Sequence, residues 1–288
     1  MEKYYRFAGL EFVVQIPEGQ EFSHNGPLEP FCVQRVEDPH WFYLTVMETL
    51  SSPEGEELAV RPDFRIYGQG DLQIRYIGAV AENWDKAYIR AEHCGKQHHI
   101  QLKKTRFSGK IGDKSILNAM EAEHLIARNH GFVFHCAFVE YRGKAILFTA
   151  PSETGKSTQA ELWRRYRGAE IINGDRAAVR LSEGTLLAEG IPFSGSSTYC
   201  KNRSLPLSAI VYLAQAPKTT IRKLRGYEAF SKIWEGISVN TWDRQDMELV
   251  SALVQKTAAE IPVFYMPCTP DADAVRILEE MLKKEEIL

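Results

Sequence analysis

The sequence predicts an α/β (or α+β) chain: a β-rich N-terminal domain over residues 1–110, followed by a strand-and-helix domain over residues 111–288. Two observations predict it. From Met1 to about Thr105, short runs of β-branched and aromatic residues are separated by turn-forming residues. From about residue 113 the period changes, because Ile116, Met120 and Leu125 recur at helical spacing, and strands then alternate with helices. The boundary falls between residues 105 and 114.

In the N-terminal part the expected strands are Tyr4 to Ile16, Cys32 to Arg35, Trp41 to Met47, Leu72 to Val80, Ala87 to Ala91 and His98 to Leu102. Pro17-Glu18-Gly19, Asn25-Gly26-Pro27 and Gly68-Gln69-Gly70-Asp71 supply turns between them. Next comes a helix with Asp113 or Ser115 as its cap and Gly131 as its stop. A strand over Phe132 to Glu140 turns at Tyr141-Arg142-Gly143 into a second, Lys144 to Thr149, which leads through a Gly-Lys-Ser-Thr loop into a helix over Ser157 to Tyr166. Further strands are expected at Glu170 to Ile172, Ala177 to Leu181, Ile210 to Leu213 and Val263 to Tyr265. Two late helices, Asp246 to Ala259 and Asp271 to Lys284, complete the chain, the second with Thr269-Pro270 as its cap and first turn.

Composition excludes several classes. The formal charge is −3, with both signs mixed along the chain, so there is no basic stripe for a phosphodiester backbone and no nucleic acid is expected. No apolar run reaches the roughly 20 residues that cross a bilayer, and Met1 to Arg6 lacks the features of a signal peptide. The expected location is cytoplasmic, with no membrane partner. Cys32, Cys94, Cys136, Cys200 and Cys268 are odd in number, scattered, and form no C-x-x-C pair, which fits free thiols in a reducing compartment.

The chemistry is concentrated in Ala150-Pro151-Ser152-Glu153-Thr154-Gly155-Lys156-Ser157-Thr158. This run matches the phosphate-binding pattern G-x-x-x-x-G-K-[ST], with Ala150 in place of the first glycine. In such a loop, backbone N–H groups turn inward and the following helix adds its unpaired donors and dipole, making an anion hole. Lys156 is expected to reach the β- and γ-phosphates of ATP, and the hydroxyl of Ser157, or in second place Thr158, to ligate Mg²⁺. Ala150 suits the turn provided its φ is negative; Glu153 brings a carboxylate close to the phosphates.

Phosphoryl transfer to a hydroxyl also needs a group that orients or deprotonates the acceptor. Glu170-Ile171-Ile172-Asn173-Gly174-Asp175-Arg176 reads as an apolar strand emerging into a turn with Asp175 at its tip, at the sheet edge where α/β proteins bind ligands. His135, on the strand before the phosphate-loop strand, reads either as a core histidine or as a group that handles protons or orients Asp175. The small-residue segment Gly190 to Arg203 could fold over phosphates, bringing Lys201 or Arg203 to the transferred group. His98 and His99 point to opposite faces of a strand and make a poor metal pair. Gly68-x-Gly70 is a hairpin turn rather than a dinucleotide site.

Taken in order, Phe134-His135, the Arg142-Gly143 hairpin, the phosphate loop and Asn173-Gly174-Asp175 resemble the C-terminal kinase domain of HPr kinase/phosphorylase and its relatives, which include lasso-peptide precursor kinases. The nucleotide-binding part of ATP-dependent phosphoenolpyruvate carboxykinase is a more distant resemblance. The similarity spans roughly residues 130 to 215. It implies a kinase domain with a mixed sheet, ATP and Mg²⁺ as cofactors, Asp175 as the base toward an acceptor serine and as a partner of the metal, His135 near the active site, and assembly into homo-oligomers. Arg176 stands where the family often has a second acidic residue. The resulting expectation is an ATP-dependent kinase acting on a serine of a peptide or small protein. A small-molecule kinase for an amino acid or sugar, and a non-catalytic nucleotide-binding interaction module, fit the same residues.

Overall fold

The computed structural model describes residues 1–22, 26–195 and 197–288. Asn25 of the expected Asn25-Gly26-Pro27 turn and Ser196 of the expected phosphate-covering segment lie outside the described residues. The chain forms two compact units, Met1–Ala122 and Glu123–Leu288.

The first unit contains β1 (Glu2–Phe7), β2 (Leu10–Gln15), β3 (Glu21–Phe22), β4 (His40–Met47), β5 (Glu56–Val60), β6 (Phe64–Gln69), β7 (Leu72–Gly78), β8 (Ala87–Cys94), β9 (Gln97–Lys103), β10 (Lys110–Ile111) and the helix α1 (Asp113–Ala119). Eight of these strands form one sheet in the order β1-β2-β4-β9-β8-β7-β6-β5, while β3 and β10 pair separately. The span expected as one strand, Tyr4 to Ile16, is a hairpin. Ala8 and Gly9 both take positive φ, 50° and 67°, which is the backbone of a tight primed turn. Cys32 to Arg35 is not a strand, and Cys32 makes only an isolated bridge to Tyr5. His98 is buried and His99 exposed, as alternation along β9 requires. The helix expected up to Gly131 is interrupted. Asp113 does not cap α1, since its carboxylate accepts from Leu28 N (2.9 Å), and Glu121, at φ 53°, starts a second short helix, α2 (Ala122–Arg128).

The second unit continues with β11 (Gly131–His135), β12 (Ala137–Tyr141), β13 (Lys144–Thr149), α3 (Lys156–Arg167), β14 (Glu170–Asn173), β15 (Arg176–Ser182), β16 (Thr185–Gly190) and β17 (Ser204–Gln215). It ends with β18 (Arg222–Leu224), α4 (Gly226–Trp234), β19 (Ile237–Ser238), α5 (Arg244–Glu260), β20 (Val263–Cys268) and α6 (Ala272–Lys284). The strand path is β14-β12-β13-β17-β16-β15-β11-β19, with β20 added to β17 and β18 to β20. Parallel pairs (β13 with β17, β17 with β20) and antiparallel pairs are mixed. The long β17 pairs through its first residues with β16 and through its last with β20, so it belongs to both halves of the sheet.

Alternation along the strands builds two apolar layers. In β13, Ala145 and Leu147 face a layer with Phe134, Phe138, Ile210 and, from α4 and α5, Ile233 and Val254. Ile146 and Phe148 face the other, with Trp163 of α3, Phe264 of β20, and Val275 and Leu278 of α6. Strand β13 is thus buried on both sides, which is why its sequence is an unbroken apolar run. The cap of α6 is Asp271, whose carboxylate accepts from Asp273 N and Ala274 N, rather than Thr269. No helix among the described residues is long and apolar enough to cross a membrane.

Trp163 is fully buried against Tyr141 and Phe148, with ring centroids 5.3 and 6.3 Å away, and so fixes α3 on the sheet. Trp163→Ala is expected to destabilise the second unit by about 3–5 kcal/mol through lost burial and the cavity left behind, read from the shift of its urea-unfolding transition.

Candidate active site

The site begins with a bend in a ladder. The segment from Gly131 to Tyr141 lies antiparallel to Glu170 to Arg180, first as β11 with β15 (His135 opposite Arg176), then as β12 with β14 (Phe138 opposite Asn173). The expected single strand Phe132 to Glu140 breaks at Cys136. Asp175 lies in the bend that follows β14, as a turn there requires, and this bend is inside the ladder, where Cys136 N donates to Asp175 O at 3.0 Å. His135 does not pair with the phosphate-loop strand. Its pairing with β15 brings its ring beside Asp175, and Nε2 donates to Asp175 Oδ1 at 3.0 Å.

Asn173 holds the bend open. It is fully buried, and its Oδ1 accepts from Asp175 N (2.9 Å) and Arg176 N (3.0 Å), while Nδ2 donates to the carbonyls of Ile191 (3.0 Å) and Phe193 (3.3 Å). One amide side chain thus orients Asp175 and ties the following segment across it. Two glycines let that segment approach. A Cβ on Gly195 would lie 2.8 Å from the Asp175 carboxyl, and one on Gly174 would lie 2.2 Å from Ser197 Oγ. Asn173 belongs to the Asn173-Gly174-Asp175 motif, but sequence gives it no role of its own and does not foresee this contact; an Asn two residues before an Asp in a turn is the signal available for it.

The loop after β13 leads into α3, whose N-cap is Gly155 at φ 113°. Glycine offers no capping side chain, so among the described residues α3 begins without a side-chain cap hydrogen bond, and its first-turn N–H groups are the kind that can take an anion. Ala150 is absent from the residues with positive φ, meeting the condition for alanine there, whereas Glu153 takes φ 62°. Lys156 is buried, and Nζ donates to Ala150 O (3.0 Å) and Pro151 O (3.3 Å).

A cavity of about 450 Å³ joins these parts, lined among others by His135, Ser152, Lys156, Ser157, Asp175 and Tyr199. The Tyr199 hydroxyl donates to Glu161 Oε1 at 2.7 Å on its wall. The hydrogen bond from His135 is the main reason the Asp175 carboxyl titrates below its ordinary range, despite opposing burial; His135, Arg176 and Lys156 add electrostatic support. Burial lowers the Lys156 ammonium, and the charge of Asp175 works against that shift. Cys136, buried behind the bend, is pushed up by burial and by Asp175.

Lys201 and Arg203 are placed elsewhere. Lys201 pairs with Glu170 (2.5 Å) and Arg203 with Glu140 (2.7 Å), at the far end of β14 and β12 from Asp175, and neither lines the cavity. Trp242-Asp243-Arg244 opens α5, with Asp243 as its cap. A group of His124, Asp243 and Asp246 has metal-like spacing, but Arg128 Nε already donates to Asp246 at 2.9 Å.

Fold and site together define a mixed α/β unit in which a Gly-Lys-Ser-Thr loop faces an aspartate–histidine pair. Residues 113–268 match the family model for SynChlorMet cassette protein ScmC. That match covers more than half of the chain, and the chain belongs to this family. Among solved structures it is similar to one titled "Structure of the Hpr(Ser) kinase/phosphatase from Coxiella burnetii", at 11% identity over 54% of this chain and 90% of that one, with a TM-score of 0.33. A search of curated proteins finds no match.

Two outcomes are expected. Asn173→Ala, which strands two carbonyls and two N–H groups, lowers stability by about 2–3 kcal/mol, measured by chemical denaturation. Asp175 has a lower pKa folded than unfolded, so it adds stability above about pH 4 that is lost as the pH falls through its folded value. Acid titration of stability is therefore shallower below about pH 4 in Asp175→Asn than in the wild type.

Proposed function

We propose that the second unit is an ATP-dependent phosphotransferase acting on a hydroxyl, with a serine of a peptide or small protein as acceptor. The observation that carries this reading is the single cavity shared by Lys156 at the start of α3 and the hydrogen-bonded pair His135–Asp175. A polyphosphate laid on the loop meets the first-turn N–H groups and the helix dipole. Lys156 then exchanges its two loop carbonyls for phosphate oxygens, a trade that favours the ammonium because both partners are charged.

Ser157 and Asp175 line the same cavity and offer hard oxygen donors, a set that fits Mg²⁺ with phosphate oxygens and water completing its shell. Bound there with the nucleotide, the ion would supply positive charge against the phosphate oxygens.

In the proposed transfer, the acceptor oxygen bonds to the γ-phosphorus as the bond from that phosphorus to the β–γ bridging oxygen breaks, leaving ADP. The hydroxyl proton passes to Asp175. His135, donating to Oδ1, fixes the carboxylate's orientation, and Arg176 Nε lies 3.4 Å from Oδ2, the oxygen an acceptor hydroxyl would share with it. The lowered Asp175 pKa keeps the carboxylate ionised at neutral pH, so it serves by orienting the hydroxyl and taking its proton as the new bond forms. Tyr199 and Glu161, hydrogen-bonded to each other, form the wall an acceptor would meet.

The test is a calorimetric titration with MgATP beside phosphate-transfer assays on candidate peptides. Lys156→Ala is expected to abolish saturable binding. Asp175→Asn keeps binding while transfer falls at least about 100-fold. An Asp175→Asn enzyme with wild-type turnover would remove Asp175 from the mechanism, and a wild type that binds no nucleotide would end the kinase reading.

A further inference from the structure

A second cavity, of about 620 Å³, lies on the other side of the phosphate loop. Gly155, Thr158 and Gln159 form one wall, and Gln215, Cys268 and Thr269 form the opposite one. These last three stand at the carboxyl ends of β17 and β20, which run parallel to β13 and follow it in the sheet. The edge of the sheet thus carries, in spatial order, Asp175 at the β14–β12 bend, the phosphate loop after β13, and the second cavity after β17 and β20. Carboxyl ends of parallel strands are where α/β sheets hold ligands.

The two cavities differ in chemistry. The first is lined by six ionisable side chains, His135, Glu153, Lys156, Glu161, Asp175 and Tyr199. Of these only Glu153 touches the second, whose other ionisable group is the Cys268 thiol, kept protonated by burial. An uncharged, flat, partly polar group suits it better than a phosphate or a cation. One polar demand is unmet there. Gln159 is 2% exposed, its Nε2 donates to Cys268 Sγ at 3.3 Å, and its Oε1 has no hydrogen-bond partner among the described residues. A buried amide oxygen without a donor is costly, and a ligand that supplies an N–H or O–H recovers that cost.

We propose that this second cavity is the nucleoside subsite, so that the nucleotide lies across the loop with its terminal phosphate toward Asp175 and its base against the hydrogen-bonded pair Gln159 and Cys268. The inference rests on the kinase reading above and adds to it which way the nucleotide runs and which residues select it. Glu153, shared by both cavities, marks the crossing point.

The experiment compares MgATP with magnesium tripolyphosphate, which has the phosphates and lacks the nucleoside, by calorimetry on the full chain. Ala216, half-exposed on the cavity's lining, is the place to fill it. Ala216→Trp is expected to weaken MgATP at least about tenfold, or ~1.4 kcal/mol, while tripolyphosphate affinity stays unchanged. Gln159→Leu, close in shape but without the amide, is expected to weaken MgATP alone in the same sense, and retained tripolyphosphate binding certifies its fold. Equal effects on both ligands, or none on MgATP, would overturn the nucleoside assignment while leaving the phosphate loop intact. If the wild type binds neither ligand, the kinase reading itself fails.

Discussion

The second unit is organised around one backbone contact, the hydrogen bond from Cys136 N to Asp175 O at the bend of the ladder between residues 131–141 and 170–180. On one side of it the two segments belong to the half of the sheet with β15, β16 and β19; on the other they join β13. A flat ladder would bury both sides evenly and leave no room for a half-buried carboxylate that reaches a cavity. Bending at Cys136 turns His135 and Asp175 outward together, while Phe134 and Phe138 on either side stay fully buried. The polar pair is thus supported by apolar anchors close to it in the chain.

The site is held by hydrogen bonds that leave little freedom. Asn173 uses both ends of its amide, and Thr149, the last residue of β13, donates to His135 O at 3.0 Å, tying the phosphate-loop strand to the histidine. His135 N in turn donates to Gly236 O at 2.7 Å, just after α4. Such partners fix side chains to within a rotamer, which is what positional catalysis requires. Within the phosphate loop the strained backbone position is Glu153, one of several non-glycine residues held at positive φ, at a cost of about 1–2 kcal/mol. This residue borders both cavities.

Charge follows the same plan. Lys156 lies in a buried position that disfavours its ammonium, and its two neutral carbonyl partners only partly compensate. Incoming phosphate would relieve that cost, so the unliganded loop is arranged to gain from an anion. Lys201 and Arg203, which sequence suggested for the same task, are instead paired with Glu170 and Glu140 and brace the outer strand. In the proposed reading the anion hole rests on Lys156 and backbone donors.

Much of this was legible in the chain, and what was legible shares a cause. The apolar run Ala145 to Phe148, the Gly155-Lys156-Ser157-Thr158 turn and the helix after it are local features, set by φ/ψ preferences and side-chain periodicity over a few residues. Arg142-Gly143 likewise announced its hairpin, with φ of 55° and 74°. Sequence order also brought His135, Asp175 and Lys156 forward as candidates. What it could not place is long-range pairing. The break at Cys136, the ladder that sets His135 against Asp175, the reach of Asn173 to Ile191 and Phe193, and the meeting of Gln159 with Cys268 join residues 18 to 109 positions apart. Local residue types thus determined which groups could bind phosphate and handle a proton. The register of the sheet decided which of them meet, because strand pairing is fixed by packing on both faces rather than by any single residue's preference.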